Sequence, residues 1–153
     1  MYRWYAKNRH GVHSPFVYTF VEQILNGKSS VNKELNLPVD VSKTLSLKQQ
    51  FLLLRILSFY KLSAIVFNDK EIGFETAQSP GRLYILENNI SSRKFDKSDI
   101  VVLLNIYKDK QKNATWKAAL RNENVSLSID LFEAGVLFYA KEFKIKQHFI
   151  LRY

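Results

Sequence analysis

Apolar positions along the chain change period several times, and those changes mark its elements. Phe16, Val17, Phe20, Val21, Ile24 and Leu25 recur at helical spacing. Ser14-Pro15 supplies a capping oxygen and a residue preset for the first helical position, and Gly27 follows as a stop. The spacing predicts an amphipathic helix over 15–26. Residues 27–46 are polar and read as a loop. Ser46 and Gln49 have the spacing of a capping box. It opens a helix over 47–62, apolar on most of its circumference and therefore expected to be buried.

After that helix the period shortens. Ala64-Ile65-Val66-Phe67 reads as a strand, 68–77 as a loop opening a brief helix, Ser79-Pro80-Gly81 as a turn, and Arg82–Glu87 as a second strand. Asn88–Lys97 is polar loop. The unbroken apolar run within 99–106 reads as a strand buried on both faces, which predicts helices above and below a largely parallel sheet. A basic helix follows around 111–122, with Trp116, Ala119 and Leu120 as its apolar side. Residues 125–131 alternate strictly, as a half-exposed strand does. A turn at 132–135, a strand at 136–140, a basic connection at 141–146 and a last strand at 147–153 complete the pattern.

Composition narrows the class. A chain of 153 residues, 46% hydrophobic and 24% charged, has the makeup of one ordinary globular domain. No cysteine is present, which removes thiolate catalysis, disulfides and cysteine-based metal sites. Met1–His10 is charged without an apolar core, so it does not read as a signal peptide. The longest apolar run is too short to cross a bilayer, and a cytoplasmic location is the expectation.

The net charge of +9 favours polyanions. It is spread evenly: 11 basic and 7 acidic residues precede Arg93, and 12 and 7 follow from there. Even spreading reads as a solvated surface ahead of a docking site. Tyr2, Trp4 and Tyr5 interleave with Arg3, Lys7 and Arg9, a pattern that can stack bases or lay aromatics on the domain. His10 and His13, three apart before the first helix, have the residue type for a metal ligand or base. Local hydrogen bonding that fixes the helix entry is the favoured reading.

Two stretches carry a resemblance. His10-Gly11-Val12-His13-Ser14-Pro15-Phe16 resembles the N-terminal signature of bacterial class I S-adenosylmethionine (SAM)-dependent methyltransferases related to O-methyltransferases. Val125–Tyr139 and Gln147–Arg152 resemble the last strands of that group, and Leu52–Leu57 the helix before its first strand. The resemblance implies one α/β domain, a Rossmann-like three-layer sandwich reduced relative to a full methyltransferase domain. Its sheet would be mostly parallel with an antiparallel C-terminal strand pair. Residues 1–46 would form an N-terminal helical extension and loop, and 47–153 the core.

The resemblance also implies SAM at the carboxyl ends of the first strands; no metal is expected, because the two aspartates the family often carries after its third long strand are Leu104 and Asn105 here. Asn68 falls where the family has the first glycine of its loop, and Gly73 lies near the second. Glu87 matches the acid that bonds ribose hydroxyls, and Asn105 replaces an aspartate after the third long strand. These are the cofactor-binding candidates; no catalytic residue is assigned. The departures imply a catalytically degenerate member acting as a structural or interaction module, with a protein partner or a second copy. An active SAM-dependent O-methyltransferase with a divergent loop is the alternative, and a basic nucleic-acid-binding module the second alternative.

Overall fold

The computed structural model describes residues 14–153 apart from 29, 34, 76–77, 88–89 and 91–92. The histidines at 10 and 13 and the aromatic–basic opening stretch lie outside the described residues. Helix α1, Pro15–Phe20, starts as its cap predicts, with Val17 N donating to Ser14 Oγ at 3.4 Å. It runs directly into a π-helical turn at Val21–Leu25. Helix α2, Val39–Thr44, follows Pro38 inside the stretch read as loop. Helix α3, Leu47–Tyr60, opens on the capping box: Gln49 N donates to Ser46 Oγ at 3.2 Å and Ser46 N to Gln49 Oε1 at 3.1 Å.

Strands β1 (Ala64–Phe67), β2 (Lys70–Gly73), β3 (Arg82–Leu86) and β4 (Ile100–Leu104) come next. Then follow α4 (Lys110–Arg121), β5 (Leu127–Asp130), β6 (Ala134–Phe138) and β7 (Gln147–Ile150). All seven strands lie in one sheet of order β2-β1-β3-β4-β6-β5-β7.

This sheet corrects the expected fold. Three of its six pairings are parallel (β1–β3, β3–β4, β5–β7) and three antiparallel (β1–β2, β4–β6, β5–β6), so it is mixed rather than mostly parallel. The antiparallel β5–β6 hairpin sits inside the sheet, with β6 inserted between β4 and β5. Helical cover is also unequal. Among the described residues no helix joins β1 to β3 or β3 to β4, and one face carries α4 alone. The molecule is therefore not a helix-flanked three-layer Rossmann sandwich.

The first break from expectation is at Asn68-Asp69. Both residues have positive φ, 49° and 62°, which closes a two-residue turn whose twist suits a hairpin. Asn and Asp tolerate that conformation because their short polar side chains can bond locally. The chain therefore folds back as β2, pairing Phe67 with Lys70 and Ala64 with Gly73, where a loop and brief helix were expected. An edge strand reading Lys-Glu-Ile-Gly shows only one apolar residue and so looks like loop in sequence.

Two cores flank the sheet, separated by strict alternation. Ile65, Leu83, Ile85, Ile100, Val102 and Leu104 face α1, the π-helical turn, α2 and α3, where Val17, Phe20, Ile24, Leu53 and Ile56 are fully enclosed. Val66, Tyr84, Leu86, Val101 and Leu103 face α4, which contributes Trp116 and Ala119. The Trp116 ring packs on Gly135; a Cβ there would meet it at 2.4 Å. Full burial of side chains of this size contributes about 1.5–3 kcal/mol each.

Two further expectations change. Helix α3 is not buried all round: Leu47 is 72% and Phe51 51% exposed, while Leu52, Leu53, Ile56 and Leu57 form its inner face. Strand β5 is not half-exposed: Ser128 and Asp130 are enclosed as fully as Leu127 and Ile129, with His148 against Ser128 and Tyr107 against Asp130 on that face. Among the described residues no helix is long and apolar enough to cross a membrane.

Candidate functional site

The parallel strands β1, β3 and β4 give the sheet two distinct ends. Asn68, Glu87 and Asn105 each follow one of these strands at its carboxyl end. Gly73 does not join them. It pairs with Ala64 at the amino end of β1, about 10 Å along the strand from the Asn68 turn at 3.3 Å per residue. A Cβ on Gly73 would make only ordinary contact, 3.8 Å to Ser63 O.

At the carboxyl end the polar groups are largely engaged with one another. Asn105 takes a left-handed φ of 53° and its N donates to Glu133 O at 2.6 Å. Its Oδ1 accepts from Gln49 Nε2 at 3.1 Å, so the amide ties the start of α3 to the end of β4. Asn68 and Glu87 are exposed. Asn68 borders a cavity of only 130 Å³ under α2, below the roughly 300–1,000 Å³ of ordinary ligand pockets. A larger cavity of 420 Å³ opens beside Glu133 and Arg152. There Lys48 Nζ sits 3.9 Å from Glu133 and 4.6 Å from the centre of the Tyr153 ring, while Tyr153 Oη donates to Lys48 O at 3.2 Å.

A cleft of 600 Å³ lies at the opposite end of the sheet. The amino ends of β4 and β5 and the carboxyl end of β6 meet there, since Ile100 and Leu127 both pair with Phe138. Three stretches wall it: the loop 93–97, the turn 122–126 after α4, and 139–143 after β6. Four cations, Arg93, Lys94, Lys97 and Lys141, line it against one carboxylate, Glu123. Arg93 is paired with Asp69. Among the described residues no carboxylate pairs with Lys94, Lys97 or Lys141.

The loop that carries these cations is fixed by Asp99. Its fully buried carboxylate accepts from Arg82 N at 2.9 Å and Asp96 N at 2.8 Å, and Arg82 Nε lies 3.6 Å away. Phe95, half-buried, packs on Tyr139 with ring centres 4.9 Å apart and edge-on to Tyr84 at the same distance. Tyr139 is 6% exposed, and its hydroxyl is enclosed with no hydrogen-bond partner among the described residues. Burial, and secondarily the charge of Asp99, raise its pKa well above the usual phenol value, so it stays a neutral hydroxyl. Lys146, at the rim, donates to Asn122 O at 2.6 Å, and desolvation lowers its pKa against the opposing pull of Glu123.

A third polar group lies on the α4 face. Ser128 Oγ is 2.8 Å from His148 Nδ1, and Asp130 accepts from Phe132 N at 2.9 Å and from the Tyr107 hydroxyl. The residue types are those of a hydrolytic triad, but Ser128 is completely enclosed and bonds Nδ1 rather than standing open to a substrate. The adjoining cavity holds 80 Å³. These contacts seat β7 on β5. Among the described residues, no three His, Asp or Glu side chains gather as metal ligands would.

Sequence reasoning passed over the cleft. Its signal was the run Arg93-Lys94-Phe95-Asp96-Lys97, basic and aromatic together, matched after β6 by Tyr139-Ala140-Lys141-Glu142-Phe143. Comparison with family models, curated proteins and solved structures found no match to this chain.

Proposed function

We propose that this chain is a non-catalytic interaction module that binds nucleic acid through the cleft at the amino ends of β4 and β5. One observation carries the reading: Lys94, Lys97 and Lys141 line a 600 Å³ cleft with no carboxylate partner among the described residues, in a chain of net charge +9. Cations left unpaired around a concavity gain most from phosphate oxygens, and neutralising phosphates releases condensed counterions. Half-buried Phe95 and Phe143 beside them add ring surface for bases.

The test is binding to a single-stranded oligonucleotide across a salt series. Three neutralised phosphates predict a slope of log K against log salt of about −2, at about −0.7 per phosphate. Binding without salt dependence, or none at low salt, would overturn the reading.

A SAM site at the carboxyl end is the second reading, resting on the resemblance and on the left-handed turn at Asn68, which an asparagine can adopt in place of glycine. Against it stand the small 130 Å³ cavity beside Asn68 and the separation of Gly73 from that turn. Calorimetry with SAM and S-adenosylhomocysteine decides it: the interaction reading expects no heat, and saturable binding would restore the methyltransferase reading.

A further inference from the structure

Tyr139 is the residue of the cleft that packing does not explain. Its ring is well used, packed at a tilt against Phe95 in the core under α4. Its hydroxyl is not: 94% of the residue is removed from solvent and the oxygen has no partner among the described residues. A buried hydroxyl without a hydrogen bond destabilises a fold, and phenylalanine would fill the same volume without that cost. The groups around it share a pattern. Phe95 offers a flat apolar surface; Asn124 has a side-chain amide bonded to no described residue; and Lys94, Lys97 and Lys141 stand at the rim. Flat ring, base-edge polar groups and outlying cations match, in that order, a nucleobase with its phosphate.

We infer that the cleft is a nucleotide-unit site, in which a base stacks at Phe95, its polar edge meets the Tyr139 hydroxyl, and its phosphate lies among Lys94, Lys97 and Lys141. This rests on the nucleic-acid reading and adds a seat for one unit. The same chemistry comes from a free mononucleotide or from one residue of a single strand, and the cleft's 600 Å³ is of a size for either.

The experiment measures fluorescence anisotropy of a labelled oligouridylate on the full chain, with uridine monophosphate and inorganic phosphate as competitors. Wild type is compared with Tyr139→Phe, Phe95→Leu and the triple lysine-to-glutamine variant at 94, 97 and 141. Melting temperature is recorded for each. Tyr139→Phe should weaken binding about three- to tenfold while melting no lower than wild type, a combination that a purely structural tyrosine does not give. Phe95→Leu should weaken it about tenfold or more, and the triple variant should flatten the salt dependence. Displacement by the mononucleotide supports a free-nucleotide source; displacement by neither competitor supports the strand.

If the strand binds but Tyr139→Phe and Phe95→Leu bind as wild type does, the unit site is wrong and the nucleic-acid reading survives. If inorganic phosphate displaces as well as the mononucleotide, the base is not read and the inference fails. If no strand binds at low salt, both readings fall.

Discussion

Replacing Gly81 with alanine should cost the fold about 2–4 kcal/mol, while the same change at Gly73 should cost almost nothing. Gly81 sits where the turn before β3 runs against the segment entering β4. A Cβ there would stand 2.1 Å from Ser98 O, 2.8 Å from Ser98 C and 3.1 Å from Leu62 Cδ2. The first two contacts are backbone, which cannot swing aside as a side-chain end can. Relief means moving the chain apart, and overpacking of that kind costs typically about 1–3 kcal/mol. The shift also strains Ser63 N to Gly81 O at 2.7 Å and Arg82 N to Asp99 Oδ1 at 2.9 Å. Weakening one such bond adds about 1 kcal/mol.

At Gly73 the nearest atom to a new Cβ is 3.8 Å away, so alanine there should lie within about 0.5 kcal/mol of wild type. Urea denaturation gives both values, with an unchanged slope showing that the unfolded state is not altered. Equal stability of Gly81→Ala and wild type, or equal losses at both glycines, would refute the packing described. Gly73→Ala also has a functional use. A cofactor backed against that glycine would lose its site in a variant that folds normally.

Asp99→Ala should destabilise by about 2 kcal/mol or more in thermal or urea unfolding, at roughly 1–3 kcal/mol for each inward N–H left without its acceptor, while Arg82 keeps Asp96 and Glu71 as partners; Asp99→Asn keeps one acceptor and should cost less. His148 is held below its usual pKa of 6.5 by desolvation, partly opposed by Asp130 and assisted by Lys146. Its neutral form is thus the one the fold favours. That contribution is complete above about pH 6.5 and is lost as pH falls through the lower folded value. His148→Gln should flatten this part of a stability–pH curve; a curve identical to wild type would show that His148 does not contribute.

Much of the local structure was legible because single residues announced it. Ser14-Pro15 and the Ser46–Gln49 box fixed two helix starts, and the apolar runs at 64–67, 82–86 and 100–104 marked the central strands. What failed was pairing. The run at 100–104 is buried on both faces in parallel and mixed sheets alike, so it could not reveal that β6 runs antiparallel beside β4. Strand β2 stayed hidden because an edge strand needs no apolar alternation, and α2 because only Val41 of its six residues is buried.

The functional candidates divided the same way. Asn68, Glu87 and Asn105 do reach one end of the sheet, as their places after strands require. Gly73 left them once the hairpin turned it back along β1. The basic-aromatic runs at 93–97 and 139–143 did not read as one cleft because these walls and 122–126 are distant in sequence and meet only when β6 inserts between β4 and β5.

Photo-crosslinking a short single-stranded oligouridylate to the chain, with mass spectrometry of the peptides, tests most directly where the ligand lies. Binding in the amino-end cleft predicts adducts at Phe95, Tyr139 and Phe143 that disappear at high salt. Adducts confined to Tyr107, Phe132 and Tyr153, around the opposite end of the sheet, would contradict it.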